Sequence, residues 1–141
     1  MADLYYLPQT GDDLENIEIA EARMPSFTWK VDIETERVKG YTDEGDALSQ
    51  AIFYILSIER YMHGIYPESY GSEIADLIGK PRDYAAAELR RTISEALLQD
   101  DRITDVGDWD IVFVNAKNAL TVSFTVTSIF GPIEIRGDLT R

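Results

Sequence analysis

Apolar residues between positions 47 and 62 recur at the spacing of an α-helix. One face carries Leu48, Ile52, Ile55 and Leu56, and the adjoining face carries Ala51, Tyr54, Ile58 and Met62. Thr42, followed by two acidic residues, predicts a side-chain cap and a favourable charge at the helix start. The apolar surface is wider than the stripe of an ordinary surface helix. The pattern therefore predicts a central helix that continues through Met62.

A narrow polar stripe on this helix has an aromatic residue, Phe53, in its middle. The stripe consists of Asp46, Gln50, Ser57 and Arg60. Under one interpretation, a terminal arm of the same chain covers Phe53. Under the other, Phe53 is an aromatic anchor for a partner protein. The sequence alone does not separate the two.

A hairpin and two further helices are predicted on either side of the central helix. Residues 27–41 alternate, turn and return, which is typical of a hairpin. Residues 72–78 predict a short helix that ends before Gly79 and turns three residues inward, namely Ile74, Leu77 and Ile78. Pro81 then opens a longer helix that reaches about residue 99, because a missing N–H costs nothing in the first turn.

Beyond residue 102 the pattern changes to a period of two, which indicates strands. Residues 109–114 alternate, and residues 120–128 place Leu120, Val122, Phe124 and Val126 on one side with hydroxyl residues on the other. Gly131 and Pro132 predict a bend or bulge before a last strand that contains Ile133 and Ile135. The sum is an α+β fold, with helices packed on one face of a small, mainly antiparallel sheet.

Length and charge limit the class of protein. The 141 residues suit one domain, which we divide into an acidic N-terminal arm, 1–24, and a single α+β domain, 25–141. No apolar run is long enough to insert into a membrane, the first residues show no signal-peptide pattern, and the absence of cysteine suits a cytosolic site of synthesis. The formal charge of −13 argues against direct nucleic-acid binding and favours solubility or a basic partner surface.

Residues suited to catalysis or metal binding are few. The chain has one histidine, His63, and no cysteine, so sites that need two imidazoles or a thiolate are excluded. No nucleophile elbow or phosphate loop is present, and the acids of the arm lack the calcium-loop pattern. Glu59 with Glu68 or Glu73 would suit a glycosidase, but among 26 acidic residues some such pair is inevitable. We therefore predict no catalytic residue, metal or cofactor.

Four linked segments carry a family resemblance. The runs QAIFYILSIERY, IYPESYG, IADLIGKPRDY and ELRRTISEALLQDDRI closely resemble the baseplate protein of PBSX-type prophages. More distantly, they are similar to the baseplate wedge proteins of contractile phage tails and related injection machines, a group once labelled tail-lysozyme-like. The resemblance runs from about residue 25 to residue 135.

Three short motifs of the wider family have counterparts here. Its Gly-Glu-Arg corresponds to Ile58, Glu59 and Arg60, without the glycine, and its Pro-x-Phe-Gly is echoed by Tyr70 and Gly71, with Pro67 one residue further away. Its Glu-Pro-Arg corresponds to Asp100, Asp101 and Arg102, in which the proline is absent.

The resemblance implies a structural, non-enzymatic part of a virion tail baseplate. The family lies around the tail tube in six copies, touches wedge, tube or hub proteins, and resembles the inner domain of the sheath protein, whose first ring assembles on it. Phages, defective prophages and tail-like bacteriocins share this component, which is made in the bacterial cytoplasm, and the residues do not distinguish among them. The label tail-lysozyme-like suggests an alternative function, a peptidoglycan hydrolase of the tail tip. A second alternative is an acidic adaptor unrelated to phage tails.

An open sheet edge would explain how a sheath starts here. Neighbouring chains can add strands to such an edge through backbone hydrogen bonds, with side-chain alternation setting the register. We expect this edge in residues 109–114 and 120–128, together with the tail 133–139. The candidate contact residues on it are Leu120, Val122, Phe124, Ile133 and Ile135. The opposing interpretation is that residues 4–7 or 16–20 of the same chain cap the edge.

The segment Asp100, Asp101 and Arg102 also has two interpretations. An arginine fork suits a carboxylate on another baseplate protein, and Glu59 and Arg60 are further candidates for partner contact. Alternatively, Asp100 and Arg102 only close the helix end within the chain.

Overall fold

The computed structural model describes residues 26–140, which form two small antiparallel sheets and two α-helices. The elements are β1 (Thr28–Asp32), β2 (Arg37–Thr42), α1 (Glu44–Ser57), α2 (Arg82–Leu97), β3 (Ile103–Val114), β4 (Ala119–Ser128) and β5 (Gly131–Thr140), with 3₁₀ turns at Ile74–Leu77 and Asn115–Lys117. The predicted α+β class is confirmed. The predicted acidic arm lies outside the described residues, and the division into arm and domain stays a prediction.

The core lies between the two helices and one face of a three-stranded sheet with the order β3-β4-β5. Alternate residues of β4 point into it, and all of them are buried: Leu120, Val122, Phe124 and Val126. Leu48 and Ile52 of α1, with Leu89 and Leu97 of α2, cover them from the other side. Each such side chain contributes about 1.5–3 kcal/mol when it leaves water, so this layer holds the helices on the sheet.

The hairpin β1–β2 forms a sheet of its own and is attached to α1 through Gln50. The Gln50 side-chain amide accepts a hydrogen bond from Val31 N at 2.9 Å and donates one to the Trp29 carbonyl at 2.9 Å. These are the two backbone groups that a neighbouring strand would satisfy. The Gln50 side chain therefore satisfies these two backbone groups on the edge of β1 that does not pair with β2.

Both ends of α1 differ from the prediction. The cap is Asp43, whose carboxylate accepts a hydrogen bond from Glu44 N at 2.7 Å, and not Thr42. The helix stops at Ser57 because Ile58 takes up an extended conformation. Met62 therefore lies outside the helix and is 67% exposed. Further along the chain, Ile78 was predicted to point inward and is exposed as well.

The sheet is larger than predicted. β3 begins at Ile103, six residues before the predicted strand. Gly131 and Pro132 do not bend a strand, because Ile129 and Phe130 form a tight turn and Gly131, at φ +111°, begins β5. β5 then pairs antiparallel with β4 over ten residues without a break.

Candidate functional site

The three segments that resemble family motifs come together near the carboxyl end of α2. We call residues 59–60, 67–71 and 100–102 the motif cluster. Arg60 donates a hydrogen bond to the Gly71 carbonyl at 3.2 Å. Pro67 and Tyr70 line a cavity of about 630 Å³ together with Asp100. Segments that are up to forty residues apart in the sequence thus form one surface.

A close backbone crossing holds the first two segments of the cluster together. Ser72 N donates to the Ile58 carbonyl at 2.9 Å, and Arg60 N donates to the Ser72 carbonyl at 3.1 Å. Gly71 lies inside this crossing at φ +95°, where an added Cβ would stand 2.7 Å from Ile58 O. Any side chain at position 71 would push the two backbone segments apart, so the crossing requires glycine at this position.

Arg60 anchors the crossing to α2. Its side chain is 9% exposed and reaches Glu95 at 3.2 Å as well as the Gly71 carbonyl. Its Nε atom is buried without a hydrogen-bond partner among residues 26–140. Glu59, the neighbouring candidate for partner contact, is exposed. The partner of Arg60 is Glu95, and no sequence pattern pointed to a residue 35 positions away.

Asp100 and Arg102 form a local ion pair at the helix end. Arg102 Nε and Nη2 donate to the two Asp100 carboxylate oxygens at 2.9 and 2.6 Å, and Arg102 N donates at 3.0 Å. Burial alone would raise the pKa of Asp100, but the hydrogen bonds from Arg102 hold that pKa below its usual value. Since the fork of Arg102 already binds Asp100, the geometry agrees with the local interpretation. Asp101 is exposed beside the same cavity.

The position of β4 corrects one part of the edge prediction. β4 lies between β3 and β5, so both of its sides are paired and it offers no edge. Its predicted contact residues Leu120, Val122 and Phe124 are buried in the core. The two edges of the sheet belong to β3 and β5. Ile133 and Ile135 lie on β5 and are half-buried.

The two edges are not equivalent. The register of β3 shifts between Ile103 and Asp105 and again between Gly107 and Asp110, and Asp108 there has φ +53°. Bulges are devices that make an edge unsuitable for further strands. β5 has neither register shift nor bulge. Among residues 26–140, β5 is therefore the edge better suited to accept a strand.

The turn geometry shows which backbone groups of β5 point outward. Ser128 and Gly131 flank a two-residue turn and so form a hydrogen-bonded pair. Hydrogen bonding alternates along an antiparallel strand, which directs the N–H groups of Glu134 and Arg136 away from β4. Pro132, which has no N–H, occupies an outward position as well, as expected for an edge strand.

An apolar groove of about 550 Å³ runs between α1 and β5. Ile52 and Phe53 line its helix side, and Ile135 and Leu139 line its strand side. Phe53 is 43% exposed at this groove. The arm that would cover Phe53 under one interpretation lies outside the described residues, so both interpretations of Phe53 stay open.

Comparison with known proteins decides the family. Residues 27–131 match the family described as contractile injection system sheath initiator. The chain belongs to that family. This sheath initiator is also similar to the phage-like element PBSX protein XkdS of Bacillus subtilis (strain 168). The two are 34% identical over 128 residues, which cover 87% of this chain and 89% of the relative.

Membership confirms the resemblance to PBSX-type prophage proteins. The sheath initiator family is a structural one, so this sheath initiator is a contractile tail protein that acts in sheath initiation together with sheath and baseplate components. Within residues 26–140 no group of three or more acidic or histidine side chains is placed to hold a metal ion. No helix in the same range is long and apolar enough to cross a membrane.

Proposed function

We propose that this sheath initiator starts the sheath by accepting extended segments of sheath subunits at the β5 edge. The observation that supports the proposal is an unbroken edge strand beside an apolar groove. Six copies around the tail tube, joined to wedge and tube or hub proteins, would present six such edges. The first sheath ring would then take its position from them.

The β5 edge can supply both affinity and register. Outward backbone groups at Glu134 and Arg136 would bond the incoming strand, as in other cases of strand addition. Every second side chain of that strand would face the groove between Phe53 and Ile135. A shift of the incoming strand by one residue would turn those apolar side chains to the solvent. The groove therefore selects one pairing register between that strand and β5.

Proline substitution separates edge docking from folding. Arg136→Pro removes an outward N–H and leaves the bonds between β5 and β4 in place, whereas Ile135→Pro, the matched control, removes an N–H that faces β4. We expect Arg136→Pro subunits to fold and to enter baseplates, which then carry no sheath in electron micrographs. Ile135→Pro should instead lower the melting temperature. Normal sheaths on Arg136→Pro baseplates would refute edge docking.

We further propose that the motif cluster faces a wedge protein, with Asp101 as an exposed contact. Asp101 is exposed beside the cavity, and the two hydrogen bonds of the Arg102 fork go to Asp100. Charge reversal in Asp101→Lys should reduce co-purification with wedge proteins at an unchanged melting temperature. The control Asp76→Lys makes the same charge change at an exposed position outside the cluster. Equal binding by both variants and the parent protein would contradict the assignment.

The hydrolase alternative has a direct test. Glu59 and Glu73 are the carboxylates it would need, and purified protein added to cell walls would then lower their turbidity. The structural function predicts no difference between the parent protein, Glu59→Gln and Glu73→Gln in this assay.

A further inference from the structure

The two sheets have four strand edges within residues 26–140, and three of these edges are unsuited to a further strand. Gln50 already satisfies backbone groups on the edge of β1. β2 is bulged next to Gly40, where the pairing register shifts and φ is +74°. β3 has two register shifts. The regular edge is that of β5, and an open regular edge invites pairing with other chains unless something covers it.

The described part of the chain begins close to the start of β5. Thr28, the first residue of β1, pairs with Thr42, which lies two residues before α1. Gly45, in the first turn of α1, lies beside Phe130 of the β4–β5 turn, because a Cβ added to Gly45 would stand 4.0 Å from the Cβ of Phe130. The residues that precede β1 therefore join the hairpin at the end of α1 that lies beside the first residues of β5.

The residues that precede β1 are numerous enough to reach the apolar groove. Gln50 bonds β1 and Phe53 lines the groove, and these two positions of α1 are three residues apart. β1 and the groove are thus separated by about 10–12 Å, the width of a helix. Residues 21–27 can span about 23–25 Å when they are extended. Residues 16–20, which we call the cap segment, can therefore lie along the edge of β5.

The connection to β1 favours antiparallel pairing of the cap segment with β5. The cap segment is joined to β1 through its carboxyl end, and β1 begins near the Gly131 end of β5. Reversing the direction of a five-residue segment would move its carboxyl end four residues, about 14 Å, further along β5. That reversal would lengthen the connection, so a short linker favours the antiparallel arrangement.

Glu18 of the cap segment is matched by Arg136 of β5. The N–H and C=O groups of Arg136 point away from β4, so the residue opposite Arg136 on an added strand exchanges both backbone hydrogen bonds with it. The Arg136 side chain is exposed and forms no ion pair with another of the residues 26–140. With Glu18 in the opposite position, the carboxylate and the guanidinium lie side by side on one face of the sheet.

The same register keeps like charges apart. Ala20 then lies opposite Glu134 and Asn16 lies opposite Asp138, so neither acid of β5 faces an acid of the cap segment. A shift by two residues in either direction would place Glu18 opposite one of those two acids. Like charges directly opposite each other are destabilising. Charge therefore selects one register among those that keep the same side chains inward.

The apolar side chains of the cap segment face the groove in this register. Ile19 lies opposite Ile135, and Ile17 lies opposite Gly137, where nothing stands within 4 Å of an added Cβ. Both isoleucines then cover the groove between β5 and Phe53. A shift by one residue would turn them to the solvent and the charged side chains to the groove.

We propose that the cap segment pairs antiparallel with β5 in the free subunit and leaves when a sheath segment takes its place. The departure of the cap segment rests on the edge docking proposed above, whereas its pairing in the free subunit does not. The cap protects the edge from other chains before assembly. It pairs over five residues, so a segment that pairs with more of the ten residues of β5 can displace it. The capped and the open edge are then successive states of one strand.

Pairs of introduced cysteines test the register in the full-length chain, which has no cysteine of its own. Directly opposite residues of a non-hydrogen-bonded pair have Cα atoms about 4.5 Å apart, within the range of a disulfide. Ile19→Cys with Ile135→Cys, and likewise Ile17→Cys with Gly137→Cys, should therefore form a disulfide within one subunit under mild oxidation. Mass spectrometry and non-reducing electrophoresis of dilute protein measure the rate.

The matched control joins positions that the register places two residues apart. Ile17→Cys with Ile135→Cys has Cα atoms about 7–8 Å apart and should react at least about tenfold more slowly. It shares Ile135→Cys with the first pair, so any effect of that substitution on folding is common to both. The cap is refuted if the two pairs react at equal rates, or if the disulfide joins two subunits, which would indicate the arm of a second copy.

A charge swap tests the match between Glu18 and Arg136. In the first cysteine pair, Glu18→Arg or Arg136→Glu alone should slow disulfide formation about two- to fivefold, and the two together should restore the rate. The control Asp105→Arg makes the same charge change at an exposed position on β3, the other edge strand, and should leave the rate unchanged. A double variant as slow as the single ones would refute this register.

Locked subunits separate this inference from edge docking itself. Oxidised subunits with Ile19→Cys and Ile135→Cys should enter baseplates that carry no sheath in electron micrographs, and a reductant should restore sheath assembly. Sheaths on fully oxidised baseplates would refute the displacement of the cap and edge docking together. Failure of the disulfide to form would refute the cap alone, because edge docking does not require it.

Discussion

Gly71 is the position at which a single methyl group should do most damage outside the core. Its φ of +95° lies in the left-handed region, where a residue with a Cβ costs about 1–2 kcal/mol. The new Cβ would also stand 2.7 Å from Ile58 O, so the backbone crossing must open. Opening it weakens the bonds that join Ser72 to Ile58 and Arg60 to Ser72, at about 1 kcal/mol each. Gly71→Ala should therefore cost about 3–4 kcal/mol in total.

Gly79→Ala is the matched control for this prediction. Gly79 has a similar φ of +86°, but nothing lies within 4 Å of its added Cβ, so only the conformational cost of about 1–2 kcal/mol remains. Urea denaturation followed by circular dichroism gives both free energies of unfolding, and amide exchange at Ser72 reports the crossing itself. If Gly71→Ala proves no more costly than Gly79→Ala, the close approach to Ile58 does not determine the need for glycine.

Two further substitutions probe the attachment of the hairpin and the ion pair at the helix end. Gln50→Ala should cost about 1–2 kcal/mol and speed amide exchange at Val31, because two hydrogen bonds are lost; unchanged exchange would contradict the role of Gln50. Asp100→Asn should cost about 1–2 kcal/mol at pH 7. The folded pKa of Asp100 is depressed by Arg102 despite burial, so its carboxylate stabilises the fold above the unfolded pKa of about 4, and the contribution is lost as the pH falls through the folded pKa. The stability difference from the parent protein should accordingly disappear in acid, and a difference that persists at low pH would point to packing instead.

Elements in which apolar and polar residues alternate regularly were predictable from the sequence. Leu120, Val122, Phe124 and Val126 alternate with hydroxyl residues, and because one side of β4 is fully buried the pattern is clean. The first half of β3 was missed because it contains Gly107 and two aspartates, which are rare in strands. Its pairing with β4 maintains it despite this composition.

Turns and tertiary contacts were harder to predict. Ile129 and Phe130 form the β4–β5 turn, although neither is a typical turn residue. The prediction therefore placed a bend at Gly131 and Pro132 and no turn at Ile129 and Phe130. Strand order is not encoded in alternation, which is why residues of the central strand were assigned to an edge. The motif residues were identified by resemblance, but their convergence depends on the crossing at Gly71 and on Glu95, which local patterns do not reveal.

The meander order β3-β4-β5 has a consequence for synthesis of the chain. β4 leaves the ribosome before β5. The edge of β4 that later pairs with β5 over ten residues is therefore unpaired at first. At about 5–20 residues per second, β5 needs on the order of a second to follow. Once present, a hairpin closes in about 1–10 μs. Translation therefore determines how long the nascent sheet is vulnerable to aggregation, and the tight turn at Ile129 and Phe130 adds little to that interval.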